Sequence, residues 1–152
     1  MHAIRSWLFV GKYLETQDVA LLNARGIGAM LQLAEYVPQS GIATRFVHIE
    51  DGEPLPIEAL REGIEFMRLQ KSLGRKVLIA CGAGISRSAT FVVAALKEEE
   101  GLALLTAFRE LRAAHPEALP HPNLWKSLCE YYAEPVSYLA VMRVAQGGDA
   151  TS

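Results

Sequence analysis

The sequence predicts an α/β fold with a mostly parallel central sheet flanked by helices on both faces. Three observations carry that expectation. Short β-favouring runs alternate with amphipathic helical stretches along the chain. Val77-Leu78-Ile79-Ala80 is apolar throughout, as a central strand covered on both faces would be. That run passes through Gly82 and Gly84 into helical spacing, the kind of strand–loop–helix junction at which open α/β sheets bind ligands.

The elements follow in order. Residues 4–10, closed by Gly11, read as a strand or hairpin. Thr16 or Asp18 can cap a short helix to Arg25, with Gly26 ending it. Residues 29–33 and 45–49 read as strands, the second from Phe46, Val47 and Ile49. The turn-rich stretch Asp51-Gly52-Glu53-Pro54-Leu55-Pro56 comes next. Ile57, Leu60, Ile64 and Met67 then recur at helical spacing up to Gly74. After the strand at 77–80, a helix is expected over 87–99, stopped by Gly101, and another over 102–114, bounded by Pro116. His121-Pro122-Asn123 reads as a turn, with Asn123 as cap of a helix reaching about Ala133. Pro135 fits the first turn of a last helix at 136–145. Residues 1–146 read as one domain and 147–152 as a disordered tail.

Composition narrows the functional classes. The chain has 152 residues, 51% hydrophobic and 21% charged, enough apolar content for a packed core and too much for a disordered protein. No apolar stretch approaches the roughly 20 residues of a membrane helix. Fifteen basic residues face seventeen acidic ones, so the basic excess of a nucleic-acid binder is missing. Cys81 and Cys129 make neither a disulfide framework nor a zinc pattern, and no signal peptide opens the chain. The expectation is a cytoplasmic protein with free thiols and no cofactor or metal. His2, His48, His115 and His121 lack metal-ligand spacing and read as structural or solvent-facing. Cys129 lies among Leu124, Trp125 and Leu128, which favours core packing over a resolving thiol. The apolar face of the last helix packs on its own domain or in a dimer; a monomer is the expected state.

Chemistry concentrates in Cys81-Gly82-Ala83-Gly84-Ile85-Ser86-Arg87-Ser88. Successive amides of such a loop, at the start of a helix, form an anion cradle. Arg87 can take two oxygens of one phosphate. The same positive surroundings favour the thiolate of Cys81. A cysteine and an arginine six positions apart say little alone; the strand before, the glycines within and the helix after give the pair its meaning.

This loop resembles the Cys-x5-Arg-Ser/Thr phosphate loop of cysteine-dependent protein tyrosine phosphatases, and most closely that of small, atypical dual-specificity phosphatases. Trp7-Leu8-Phe9-Val10-Gly11, Phe46-Val47-His48-Ile49-Glu50-Asp51 and His121-Pro122-Asn123-Leu124-Trp125 extend the likeness from about Ile4 to Tyr132. The mid-chain cysteine separates it from the low-molecular-weight phosphatases. The resemblance implies a dual-specificity phosphatase-like fold and a phosphocysteine mechanism acting on phosphotyrosine, phosphoserine or phosphothreonine. It implies Cys81 as nucleophile, with Arg87 and the amides of Gly82, Ala83, Gly84, Ile85 and Ser86 binding the phosphate or a similar oxyanion. It implies Asp51 as general acid and base, Ser88 as the hydroxyl that assists the leaving thiolate, and Asn123 as a loop support. On their own, Asp51 also reads as a turn residue, and Ser88 and Asn123 as helix caps. Glu50 and Glu53 are fallback acids.

Two departures matter. Ala80 stands where the family usually has histidine, so the Cys81 thiolate relies more on Arg87, the amides and the helix dipole; a weaker nucleophile is expected. The loop interior is neutral, without the lysines that relatives acting on inositol lipids often carry. A phosphoprotein-binding pseudophosphatase, or a phosphatase for a nucleotide, RNA, sugar phosphate or phosphoinositide, is the alternative reading.

Overall fold

The computed structural model describes residues 1–147; the tail expected at 147–152 otherwise lies outside the described residues. Five strands form one sheet: β1 (His2–Ala3), β2 (Leu8–Lys12), β3 (Ile27–Gln32), β4 (Ala43–Phe46) and β5 (Lys76–Cys81), in the order β1-β2-β5-β3-β4. β5 is central and parallel to both neighbours. Only β1, hairpinned onto β2, runs antiparallel. The stretch 4–10 is thus the hairpin option rather than one strand, since the chain turns back between Ala3 and Leu8, where Ile4 N–H donates to Leu8 O at 2.8 Å.

The helices are α1 (Val19–Ala24), α2 (Ile57–Ser72), α3 (Arg87–Glu100), α4 (Leu104–Ala114), α5 (Pro122–Tyr132) and α6 (Tyr138–Ala145). Their distribution over the two faces is unequal. Alternate strand residues Leu8, Val10, Leu31, Val77, Ile79 and Cys81 face the large core under α2 to α6. Phe9, Met30, Leu78 and Ala80 face a smaller cluster closed by Leu22 of α1. A register shift between Ile27 and Ala29 sends these two residues to opposite cores, although they are two apart. Helix α3 is buried from Ser88 through Leu96, so it is a core helix enclosed on all sides. Gly63 of α2 permits that enclosure: a Cβ there would meet the Phe91 ring at 2.4 Å.

Several sequence expectations move. The strand placed at 45–49 is Ala43–Phe46. Beyond it the chain leaves regular pairing but still tracks β3, with Val47 N–H donating to Gln32 O and Ile49 N–H to Leu33 O. Asp18, not Thr16, caps α1, accepting from Leu21 N–H at 3.0 Å. Helix α4 begins at Leu104 rather than residue 102, where Glu134 accepts its first free amide at 2.7 Å. Helix α5 is capped by His121, whose Nδ1 accepts from Asn123 N–H at 3.0 Å, and not by Asn123. Pro122 then occupies the first helical position, where its missing N–H costs nothing. Pro135 precedes α6 instead of opening it, because Ser137 takes the cap by accepting from Ala140 N–H. Helix α6 buries Val141 and Val144 against this domain and leaves Leu139 exposed.

Candidate active site

β5 delivers Cys81 at its carboxyl end, and the next residues turn into α3. The shape of this turn is fixed from outside. Tyr13 N–H donates to Gly82 O at 3.3 Å, His115 Nε2 to Gly84 O at 2.8 Å, and Leu119 N–H to Ile85 O at 3.0 Å. Thr90 donates to Ser86 O through both its amide and its hydroxyl. With the carbonyls held outward, the opposed N–H groups turn inward. Among the described residues, the amides of Ala83, Gly84, Ile85 and Ser86 have no protein acceptor, which is the arrangement of an anion nest. Gly84 is obligatory: its φ is +71°, and a Cβ there would stand 2.9 Å from Gly11 O.

Cys81 is buried, and its sulfur lies where the two ends of this loop meet. Ser88 N–H donates to Sγ at 3.4 Å, and Ser88 Oγ lies 3.2 Å from Sγ. The reading of Ser88 as a helix cap is corrected: it lies inside α3, whose cap position is Ser86. Arg87 opens α3 and is half-buried. Its Nη1 donates to Ile49 O at 3.0 Å, and a Cβ on Gly82 would touch Nη2 at 3.0 Å, so the guanidinium lies along the loop. Ala80, one residue before Cys81, faces the smaller core on the other side of the sheet.

The segment carrying Asp51 closes over the same loop. Ser86 Oγ donates to Asp51 Oδ1 at 2.7 Å, and His121 N–H donates to Ser86 Oγ at 2.9 Å. Asn123 Nδ2 donates to Gly52 O at 2.7 Å, so Asn123 ties α5 to the segment carrying Asp51. Ser127 Oγ accepts from Leu55 N–H at 2.9 Å. Glu50 points its carboxylate at His48 Nε2, 2.6 Å away, while the Asp51 carboxylate reaches Ser86.

The structure therefore brings Cys81, Arg87, Ser88, Asp51 and Asn123 together around Gly82–Ser86. Sequence reasoning missed three contributors. The buried imidazole of His115, stacked on His2 at 3.9 Å, braces Gly84. His121 ties α5 to Ser86, and the Ser86 hydroxyl reaches Asp51. Pro122 signals His121 as a cap through the preference of proline for the first helical position. Nothing local signals the others. Among the described residues no cluster of His, Cys, Asp or Glu could hold a metal ion. No helix among them is long and apolar enough to cross a membrane.

Comparison with known proteins agrees with this geometry. The family model for the dual specificity phosphatase catalytic domain matches residues 8–134. Dual specificity protein phosphatase 2 of Homo sapiens is 34% identical over 109 residues, covering 69% of this chain and 35% of that protein. The chain thus spans about a third of that relative's length. Phosphatidylglycerophosphate phosphatase PTPMT1 of Arabidopsis thaliana is 32% identical over 76 residues, covering 50% of this chain and 23% of that protein. The crystal structure of human DUSP28 superposes with a TM-score of 0.81 at 25% identity, covering 88% of this chain and 96% of that one. The loop from Cys81 to Ser88 lies within the matched region, and the chain belongs to the dual specificity phosphatase catalytic-domain family.

Proposed function

We propose that the protein hydrolyses phosphotyrosine and phosphoserine or phosphothreonine monoesters in two steps through a phosphocysteine. The observation that carries this reading is one constellation: a sulfur where the two ends of a loop of unpartnered amides meet, an arginine along that loop and a carboxylate bonded to its Ser86. In the first step the Cys81 thiolate attacks phosphorus and the ester P–O bond breaks. The leaving oxygen takes the proton of Asp51. In the second step water attacks phosphorus, gives its proton to the Asp51 carboxylate, and the P–S bond breaks. The thiolate is released toward the Ser88 hydroxyl. Arg87 and the amides of Gly82 through Arg87 hold the equatorial oxygens as charge redistributes.

One relative supports a second reading. The name of PTPMT1 gives phosphatidylglycerophosphate as its substrate, so a non-protein monoester fits the same loop chemistry. The neutral residues Ala83, Ile85 and Ser86 favour the phosphoprotein reading over a polyanionic lipid headgroup. A pseudophosphatase would keep the nest but need neither Cys81 nor Asp51. The test is turnover of a small aryl phosphate with a metal chelator present, by wild type and Cys81→Ser. Metal-independent turnover abolished in Cys81→Ser is expected. Turnover surviving that change would contradict the mechanism, and oxyanion binding without turnover at any pH would favour the binding module. A panel of phosphopeptides and phospholipid headgroups then separates the substrate classes.

A further inference from the structure

The side chain of Ser86 stands where a serine ordinarily caps a helix, at the position before Arg87 in α3. It makes no cap bond. One of the two amides a capping serine accepts, that of Ser88, is given to Cys81 Sγ instead. Its oxygen accepts from His121 N–H at 2.9 Å, and its hydrogen is directed to Asp51 Oδ1 at 2.7 Å. The hydroxyl has been diverted from helix stability to a bridge between α5 and the acid loop.

We propose that Ser86 is a positioning residue that selects which oxygen of Asp51 carries the catalytic proton. The inference rests on the reading of Asp51 as general acid. A proton on Oδ1 would turn the acceptor of the Ser86 hydrogen from a carbonyl oxygen into a hydroxyl oxygen, the weaker acceptor of a carboxyl group. Oδ1 therefore accepts, and the proton resides on Oδ2. Asp51 is exposed, and among the described residues Ser86 provides the one side-chain bond that orients its carboxyl. The backbone beneath it is fixed independently, through Asn123 Nδ2 on Gly52 O and Arg87 Nη1 on Ile49 O. Freed from Ser86, the carboxyl rotates, and the proton is presented at the wrong place for part of the time. The backbone amide of Ser86 still belongs to the nest; the role proposed is that of the hydroxyl alone.

The experiment compares kcat/KM across aryl phosphates whose leaving phenols range from strongly acidic to weakly acidic, for wild type, Ser86→Ala, Asp51→Asn and the double variant. Leaving groups of low acidity need the proton most. Asp51→Asn steepens the dependence of rate on leaving-group acidity. Ser86→Ala steepens it in the same direction, losing roughly tenfold or more on the least acidic phenol and progressively less on the more acidic ones. Adding Ser86→Ala to Asp51→Asn leaves the slope of the single Asp51 variant unchanged. The slope is a property of the folded fraction, so partial unfolding does not imitate it. A loss of equal size on every substrate, or a further steepening in the double variant, would overturn the proposal. An unchanged slope in Asp51→Asn would instead remove the assignment of Asp51 as the acid, and the proposal with it.

Discussion

Cys81 and Cys129 are both buried free thiols in the large core, and their neighbours are of opposite kinds. The sulfur of Cys81 accepts from the Ser88 amide at 3.4 Å and lies 3.2 Å from the Ser88 hydroxyl, with the Arg87 guanidinium along the loop that follows. Around Cys129 are acceptors. Its sulfur contacts Val136 O at 3.7 Å, and burial pushes its thiol above the ordinary value, with the carboxylates of Glu134 and Glu130 adding to the effect. Burial alone holds a thiol neutral. What makes a buried sulfur a nucleophile is the sign of the groups that face it. In this chain the strand-to-helix junction places the Ser88 N–H on the sulfur of Cys81, while a backbone carbonyl lies against that of Cys129.

The largest expected effect tests this contrast directly. Cys81→Ser lowers kcat by at least roughly 10³-fold, since removal of a nucleophile leaves only binding and electrostatic stabilisation. Cys129→Ser retains wild-type turnover. In the wild type, iodoacetate modifies Cys81 ahead of Cys129, and inorganic phosphate or vanadate slows only the first. Equal modification of the two thiols, or protection of both, would break the comparison.

A smaller effect is expected from the bracing of the nest. His115→Ala leaves Gly84 O buried without its donor, a cost of about 1–3 kcal/mol. Chemical denaturation reads this loss, and phosphate affinity falls with it because the Gly84 carbonyl is no longer held outward and the amides beside it lose their inward setting. His115→Gln, which keeps a donor, recovers part of both. Unchanged stability and unchanged phosphate affinity in the alanine variant would show that Tyr13, Leu119 and Thr90 suffice.

Sequence alone made some of this legible. The apolar run at 77–80, the glycine loop and the helix after it are local patterns, and so is the stop at Gly101, whose φ is +68°. Cys81, Arg87 and Ser88 are close in sequence and could be read as one unit. The strand at 43–46 was harder, because Val47 and Ile49 are buried by the loop that follows it and imitate strand alternation. The braces of the site are long-range. Gly84 and His115 are 31 residues apart, and Ser86 is 35 from both Asp51 and His121. Such bonds depend on tertiary packing, and a histidine among other polar residues does not announce which carbonyl it will meet.

The smallest expected effect belongs to Cys129. Its folded-state thiol titrates above the unfolded value of 9.0, so the native state holds its proton more tightly than the unfolded chain. The contribution is fully present below that value and is lost as pH rises through the raised native value. Denaturation midpoints measured above pH 9 should therefore fall less steeply in Cys129→Ala than in the wild type. Parallel curves would mean that ionisation of Cys129 is not resisted by its surroundings.

In the proposed reaction the sulfur of Cys81, and no other group, receives the phosphoryl group. The most direct measurement is acid quenching during turnover of an aryl phosphate carrying labelled phosphorus, followed by peptide mapping at low pH, where a thiophosphate survives. Label is expected on the peptide containing Cys81, increased in Asp51→Asn, where breakdown of the intermediate is slowed, and missing in Cys81→Ser. Label on another residue, or steady turnover with no label on Cys81 in Asp51→Asn, would contradict that reaction.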